Sequence, residues 1–323
     1  MNTIKNINNM PNLRLIICVM AVILQVSAKA QQEPMSAQYI MNKLFVNPAY
    51  AGYKEQTQFV AMHRSQWVGF EGAPMTSVLA FDMPLKQNEF AIGSTLMHDK
   101  IGPSTRSSLS LDFAYRFRLS NRGTLSLGLK GVVDLYQSNV TDLLLTSDYY
   151  NQQDELFLAN AQGLVLPNAG FGAYYFDKTS YFGISVPRIL RNNLENKGSV
   201  SFDLFDGRQE PTIHIMAGKI WKLNRKVKMQ PNVVIRSVMN APLSFGIYNN
   251  IILFDQFTFG AFYSIKETGG FLFQWQIDKR IRVGYSIDVP LNRLIRTNFG
   301  SHELTASYLL KSKRRRIVYP RYF

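Results

Sequence analysis

The chain has 323 residues, a net charge of +14, 46% hydrophobic and 13% aromatic residues, and a single cysteine, Cys18. One cysteine excludes a disulfide framework and a thiolate metal site, and its place in a segment expected to be removed excludes a catalytic thiol as well. The length suits one large barrel or two small domains, and no linker or low-complexity tract marks a boundary.

Residues 1–30 read as a cleavable signal peptide. Lys5 and Arg14 give a positive start, Leu15 to Leu24 is an unbroken apolar run of ten residues, and Ala28-Lys29-Ala30 is a small-x-small cleavage pattern ahead of Gln31. A membrane-spanning helix needs roughly twenty apolar residues, so this run is too short to be a retained anchor. The signal carries three basic residues and no acids, which leaves +11 on the exported chain. For an exported protein that charge points to anionic lipid headgroups or acidic protein surfaces, not to nucleic acid.

Residues 31–55 precede the first strand and show little strand pattern. Asn47-Pro48-Ala49-Tyr50 is a turn-forming cluster, and the segment is expected in the lumen of a barrel or under its periplasmic mouth, as a docking element, or else as a disordered leader. From residue 56 to residue 310 the pattern is that of β-strands. The clearest runs from Ser107 to Arg118, where Leu109, Leu111, Phe113, Tyr115 and Phe117 alternate with Ser108, Ser110, Asp112, Ala114, Arg116 and Arg118. Successive side chains of a strand face opposite ways, so this is a strand with one apolar and one polar side. After the turn signal Ser120-Asn121-Arg122-Gly123 a second strand follows, with Leu125, Leu127, Leu129, Val133 and Leu135 on its apolar parity. Similar alternation marks 257–263, 271–277, 282–288 and 303–310. Less regular candidates are 56–64, 75–83, 89–98, 169–176, 180–186, 212–221, 227–238 and 243–254. Together they predict an all-β fold: a closed antiparallel transmembrane β-barrel of about 14 strands.

Connection lengths point the same way. Alternate connections are short (84–88, 119–123, 177–179, 222–226, 255–256 and 278–280), and the other set holds the long ones (65–74, 138–168, 187–211 and 289–300), with short exceptions near 239–242 and 266–269. Outer-membrane barrels have tight periplasmic turns and longer outer loops, which would put both termini in the periplasm. A soluble sandwich also alternates, but here the apolar parity is loaded with Leu, Phe, Tyr and Trp and the polar parity carries Arg, Lys, Asp and Glu. That suits lipid outside and polar groups within.

Several stretches then carry a resemblance. Gln38-Tyr39-Ile40-Met41-Asn42 with Asn47-Pro48-Ala49-Tyr50-Ala51-Gly52, the run Arg64 to Pro74 (RSQWVGFEGAP), Asp99-Lys100-Ile101-Gly102-Pro103, Gly284-Tyr285-Ser286-Ile287-Asp288 and Gly300-Ser301-His302-Glu303 occur in order, and the chain closes with Pro320-Arg321-Tyr322-Phe323. In these the sequence resembles the PorP/SprF family of type IX secretion proteins. The resemblance implies a non-enzymatic outer-membrane barrel of the secretion and gliding machinery, associated with its periplasmic ring proteins. It also implies pairing with a secreted surface adhesin or cargo protein.

Candidate partner-binding residues follow from chemistry and position. Trp67 and Phe70, beside Arg64, sit on the first long connection, which either contacts a partner or folds into the barrel mouth. Asn47, Pro48 and Tyr50 belong to the pre-strand cluster. Arg314, Arg315 and Arg316 lie in a basic tail, 311–323, expected to project into the periplasm and grip an acidic partner or lipid phosphate. Asp99 to Pro103 reads as a structured turn. No catalytic, metal or cofactor residue is assigned: His63, His98, His214 and His302 lack zinc-ligand spacing, and no phosphate loop or nucleophile elbow occurs. A passive or substrate-specific pore is the alternative, and the mixed polar parity (Asp112, Arg116, Lys130, Asp134, Arg282, Asp288) suits either a wet lumen or one filled by salt bridges.

Overall fold

The structure is a computed structural model that describes residues 37–85, 89–119, 123–138, 161–191, 210–238, 243–265, 267–291 and 298–310. The expected signal peptide, 1–30, and the basic tail, 311–323, lie outside these residues.

The wall consists of β1 (Gln58–Ser65), β2 (Met75–Leu85), β3 (Phe90–Ile101), β4 (Ser104–Arg118), β5 (Thr124–Ser138), β6 (Ala161–Phe176), β7 (Ser180–Val186), β8 (Thr212–Lys219), β9 (Trp221–Lys222), β10 (Val227–Val238), β11 (Ser244–Leu253), β12 (Phe257–Ser264), β13 (Thr268–Gln276), β14 (Ile281–Pro290) and β15 (Ser301–Leu309). All pairings are antiparallel. β1 pairs both β2 and β15, and β10 pairs both β8 and β11, so the sheet closes on itself. β9 continues β8 along the same neighbour, β10, past an interruption at Ile220, which makes fourteen crossings. Closure gives every strand but the two-residue β9 a neighbour on each side, as backbone in hydrocarbon requires.

Each strand is inside out relative to a soluble sheet. On β4, Leu109, Leu111 and Phe113 are exposed, with Leu111 at 61%, while Ser108, Ser110, Asp112 and Arg116 are buried. β5 repeats this with Leu129 exposed at 65% and Asp134 fully buried. So large a continuous apolar exterior has no counterpart on water-soluble monomers and fits a lipid solvent. Aromatic side chains crowd the exterior near the short-turn end: Phe59 against Phe81 at 5.1 Å, Phe90 against Tyr115 at 4.8 Å, Phe259 against Phe273 at 5.2 Å. Such girdles sit at the level of lipid headgroups.

The two ends differ as the connection lengths foretell. Short turns are built by Asx geometry: the Asp177 carboxylate accepts from the backbone N–H groups of Thr179 (2.6 Å) and Ser180 (2.8 Å), and Asp278 from those of Arg280 (2.6 Å) and Ile281 (2.7 Å). At the long-connection end, β3 and β4 meet in the tight turn expected there, with Gly102 at φ 55°.

One boundary differs from the sequence pattern. β6 begins at Ala161, not near residue 169, so part of the expected 138–168 connection is wall. Gly163 at φ 66°, an outward Pro167 and a register shift between Tyr136 and Ser138 break the alternation over these residues.

Candidate functional site

Residues 37–53 fill the lumen. The chain enters the described structure at Ala37, beside Glu303, two residues into β15 from the long-connection end. It then passes down the barrel through 3₁₀ turns at Lys43–Phe45 and Pro48–Tyr50, and turns back into the wall at Gln58, at the short-turn end. Ala37 and Leu310 therefore lie at opposite ends of the barrel. Every residue from Ala37 to Leu44 and from Asn47 to Tyr53 is buried.

An irregular segment inside a barrel must find partners for its backbone groups, and the inward parity of the wall supplies them. At the upper end the Glu303 carboxylate accepts from the backbone N–H groups of Ala37 (2.8 Å) and Gln38 (3.0 Å). Arg64 holds that carboxylate at 3.3 Å and the Asp288 carboxylate at 2.8 Å, all three groups buried. In the middle, Lys130 pairs with Asp112 at 3.0 Å and donates to the Leu44 carbonyl, and the Ser185 hydroxyl donates to the Val46 carbonyl at 2.8 Å. At the lower end Gly52 is gripped on both sides: its N–H donates to Asp82 (2.8 Å) and its carbonyl accepts from Arg116 (2.7 Å). Elsewhere in the lumen Asp134 is paired with Arg188 and Arg106.

Shape matches as closely as charge. The Asn47 side chain caps the Pro48–Tyr50 turn through the Ala49 N–H at 2.9 Å and donates to the Ala173 carbonyl of β6 at 3.1 Å. Glycines on the facing strands make this approach possible. A Cβ at Gly128 would lie 2.3 Å from the Ala49 nitrogen, and one at Gly172 would lie 2.3 Å from the Asn47 Oδ1. Around the turn, Tyr50 stacks on Tyr53 and meets Tyr174 edge-on, and Lys43 places its ammonium 3.5 Å over the Tyr181 ring.

The structure scatters the sequence-derived candidates among different places. Asn47, Pro48 and Tyr50 are buried in the lumen segment. Arg64 faces inward, committed to Asp288 and Glu303 and not presented to the exterior. Trp67 and Phe70 do share the first long connection, with Phe70 half exposed. That connection is fastened along the rim: Val68 exchanges backbone hydrogen bonds with Phe299 and Gly300 at 2.8 Å, and Gly102 donates to the Gly72 carbonyl. Arg314, Arg315 and Arg316 are outside the described residues. His302 and Glu303 face opposite ways, as neighbours in a strand must: Glu303 into the lumen, His302 outward to the Tyr285 hydroxyl. The sequence reading missed the anchors Glu303, Asp82 and Ser185. The signal was available in the glycines and acids that share the polar parity of adjoining strands.

Fold and site together define a class: a transmembrane β-barrel whose own N-terminal segment occupies its lumen. The family model described as type IX secretion system membrane protein PorP/SprF matches residues 28–308, and the chain belongs to that family. The barrel and the family place it in the outer membrane as a component of type IX secretion, which implies contact with that machinery. No curated protein matches the sequence. Among solved structures, the Pseudomonas putida toluene transporter TodX is similar over 88% of this chain and 96% of its own, with 11% identity and a TM-score of 0.48. A Pseudomonas aeruginosa FadL homologue covers 87% and 96% at 10% identity and a TM-score of 0.42, and KdgM porin 79% and 99% at 7% and 0.37. Identities this low carry no residue of those proteins over to this chain.

Proposed function

We propose that the protein is a closed scaffold of the secretion machinery that holds exported surface protein on one side and the periplasmic ring on the other, working without catalysis. The observation that carries this reading is the filled lumen: a buried segment is tied at both ends by buried carboxylates, Glu303 at one and Asp82 at the other, which suits a rigid fitting better than a conduit. Outer-membrane barrels turn their long connections outward. On that rule the rim of Trp67, Phe70 and Phe299 faces the cell exterior, where the exposed rings of Phe70 and Phe299 beside a half-buried Trp67 suit a secreted adhesin or cargo protein. The short-turn end, with the basic tail 311–323 beyond it, faces the periplasm. Asn47, Pro48, Tyr50 and Arg64 then serve the partner surfaces indirectly, by holding the plug.

Single-channel recording on the purified full-length protein separates scaffold from pore. A silent bilayer is expected, and a steady open conductance would replace this reading by the pore. Affinity recovery from native membranes identifies what the two rims hold.

A further inference from the structure

The short-turn mouth is not filled flush. A cavity of ≈ 470 Å³ opens there on the side of β10 to β15, floored by Ile40 and Met41 of the lumen segment. It lies within the size range of sites that hold a drug-sized ligand, about 300–1,000 Å³. Its floor makes it a recess, so whatever enters from this end stops there.

Two properties of the lining are unusual together. Six glutamines face it (Gln56, Gln58, Gln230, Gln256, Gln274 and Gln276). A glutamine amide carries a donor and an acceptor, the pair that a peptide group complements; of the six, Gln276 is already engaged through both, by the Asp278 and Ile281 carbonyls and by Arg282, and Gln274 donates to Gln38. The Oε1 of Gln58 is buried and has no hydrogen-bond partner in the structure, although Gln58 lines the cavity. A buried acceptor without a donor is destabilising unless something supplies one. The charges around the amides are one-sided. Lys54, Lys279, Arg280 and Arg282 stand against one carboxylate, Asp255, which is already ion-paired with Lys228. Arg282 is half-buried, and its Nε donates to Gln276 Oε1 at 2.6 Å, so an amide holds the guanidinium in place.

We propose that this recess is a docking site for an acidic peptide segment of a periplasmic partner, the glutamines reading its backbone and the cations its carboxylates. The proposal rests on the reading above, which turns this mouth to the periplasm. An extended peptide needs donors and acceptors in alternation, which the amides provide, and Arg and Lys supply the charge-assisted bonds to carboxylate. Charge of one sign in a concave, low-dielectric mouth also raises the capture rate of an acidic chain.

The test uses the full-length barrel in detergent and a fluorescent Glu-Gly repeat peptide, with a Gln-Gly peptide of equal length beside it, read by anisotropy. Saturable binding of the acidic peptide alone is expected, weakening as salt is raised. Reversing both exposed turn charges, Lys279→Glu with Arg280→Glu, should weaken it by roughly tenfold. The charge-matched pair Arg225→Glu with Lys226→Glu, at the same end but off the recess, should change it less than about twofold. Heat-dependent gel mobility verifies that both variants fold. Equal loss in the two variants, equal binding of both peptides, or preference for an alginate probe over the peptide would each overturn the proposal. Recovery from native membranes separates this from the scaffold reading. Ring components recovered equally by wild type and by the 279/280 variant remove the recess and leave the scaffold, whereas none recovered by wild type removes the scaffold.

Discussion

Leu111 and Asp112 are neighbours on β4, yet one is 61% exposed and the other 3%. In a soluble sheet the leucine would be inside and the carboxylate out. The two faces of this wall meet different solvents: the outer face meets hydrocarbon, which rewards apolar atoms and offers no hydrogen bonds, and the inner face meets a segment of its own chain. The difference teaches that the inner face is held by pairing and the outer by partition. Removing one member of a pair should therefore hurt the inner face most, and adding a charge should hurt the outer face most.

Glu303→Ala gives the largest expected effect. It leaves two buried plug N–H groups without their acceptor, each at about 1–3 kcal/mol, and takes one of the two carboxylates of Arg64, which keeps Asp288. Limited proteolysis of the folded barrel should cut within residues 37–53, and continued resistance there would break the distinction between the faces. Leu129→Arg, on the middle of the outer face of β5, should lower the stability of the bilayer-inserted protein by about 2–4 kcal/mol, measured by reversible denaturation in lipid vesicles. Gly128→Ala sharpens the inner side. Its Cβ would meet the Ala49 backbone, and such overpacking costs about 1–3 kcal/mol in the same measurement, although alanine is neither polar nor charged. The smallest effect is at Asp177, in a turn outside the wall. Burial pushes its carboxyl up, but the donors of Thr179 and Ser180 outweigh this and hold it below the ordinary carboxylate range. A depressed group contributes its stability above its unfolded pKa and loses it as pH falls through the folded one. Asp177→Asn should therefore lessen the fall in stability between mildly and strongly acid solution, and an unchanged pH profile would show that the turn contributes nothing.

Most of the wall was legible because alternation survives wherever both faces are uniform. The hairpin of β4 and β5 announces itself through Leu and Phe against Ser, Asp and Lys. The start of β6 was hidden because Leu164-Val165-Leu166 is apolar on both parities and Leu166 turns inward. The plug was legible only as a place, the lumen or the periplasmic mouth, because its 3₁₀ turns present side chains in every direction and nearly all are covered. Arg64 was singled out by its motif, but the carboxylates that claim it are more than two hundred positions away in sequence, on β14 and β15. Pairing at that range leaves no local pattern. The tail residues Arg314 to Arg316 remain readable from composition alone.

The path of the plug constrains the order of assembly. The seam between the first and last strands, β1 and β15, is zipped by eight residue pairs, and the polypeptide ahead of it already runs from one mouth to the other inside the ring. Threading that length through a finished cylinder would drag its unpaired backbone groups along the bore before the N–H groups of Ala37, Gln38 and Gly52 reached the Glu303 and Asp82 carboxylates that accept from them. Laying the thread first and zipping the seam around it avoids that passage, so the strand that starts the wall should be among the last to find its mate.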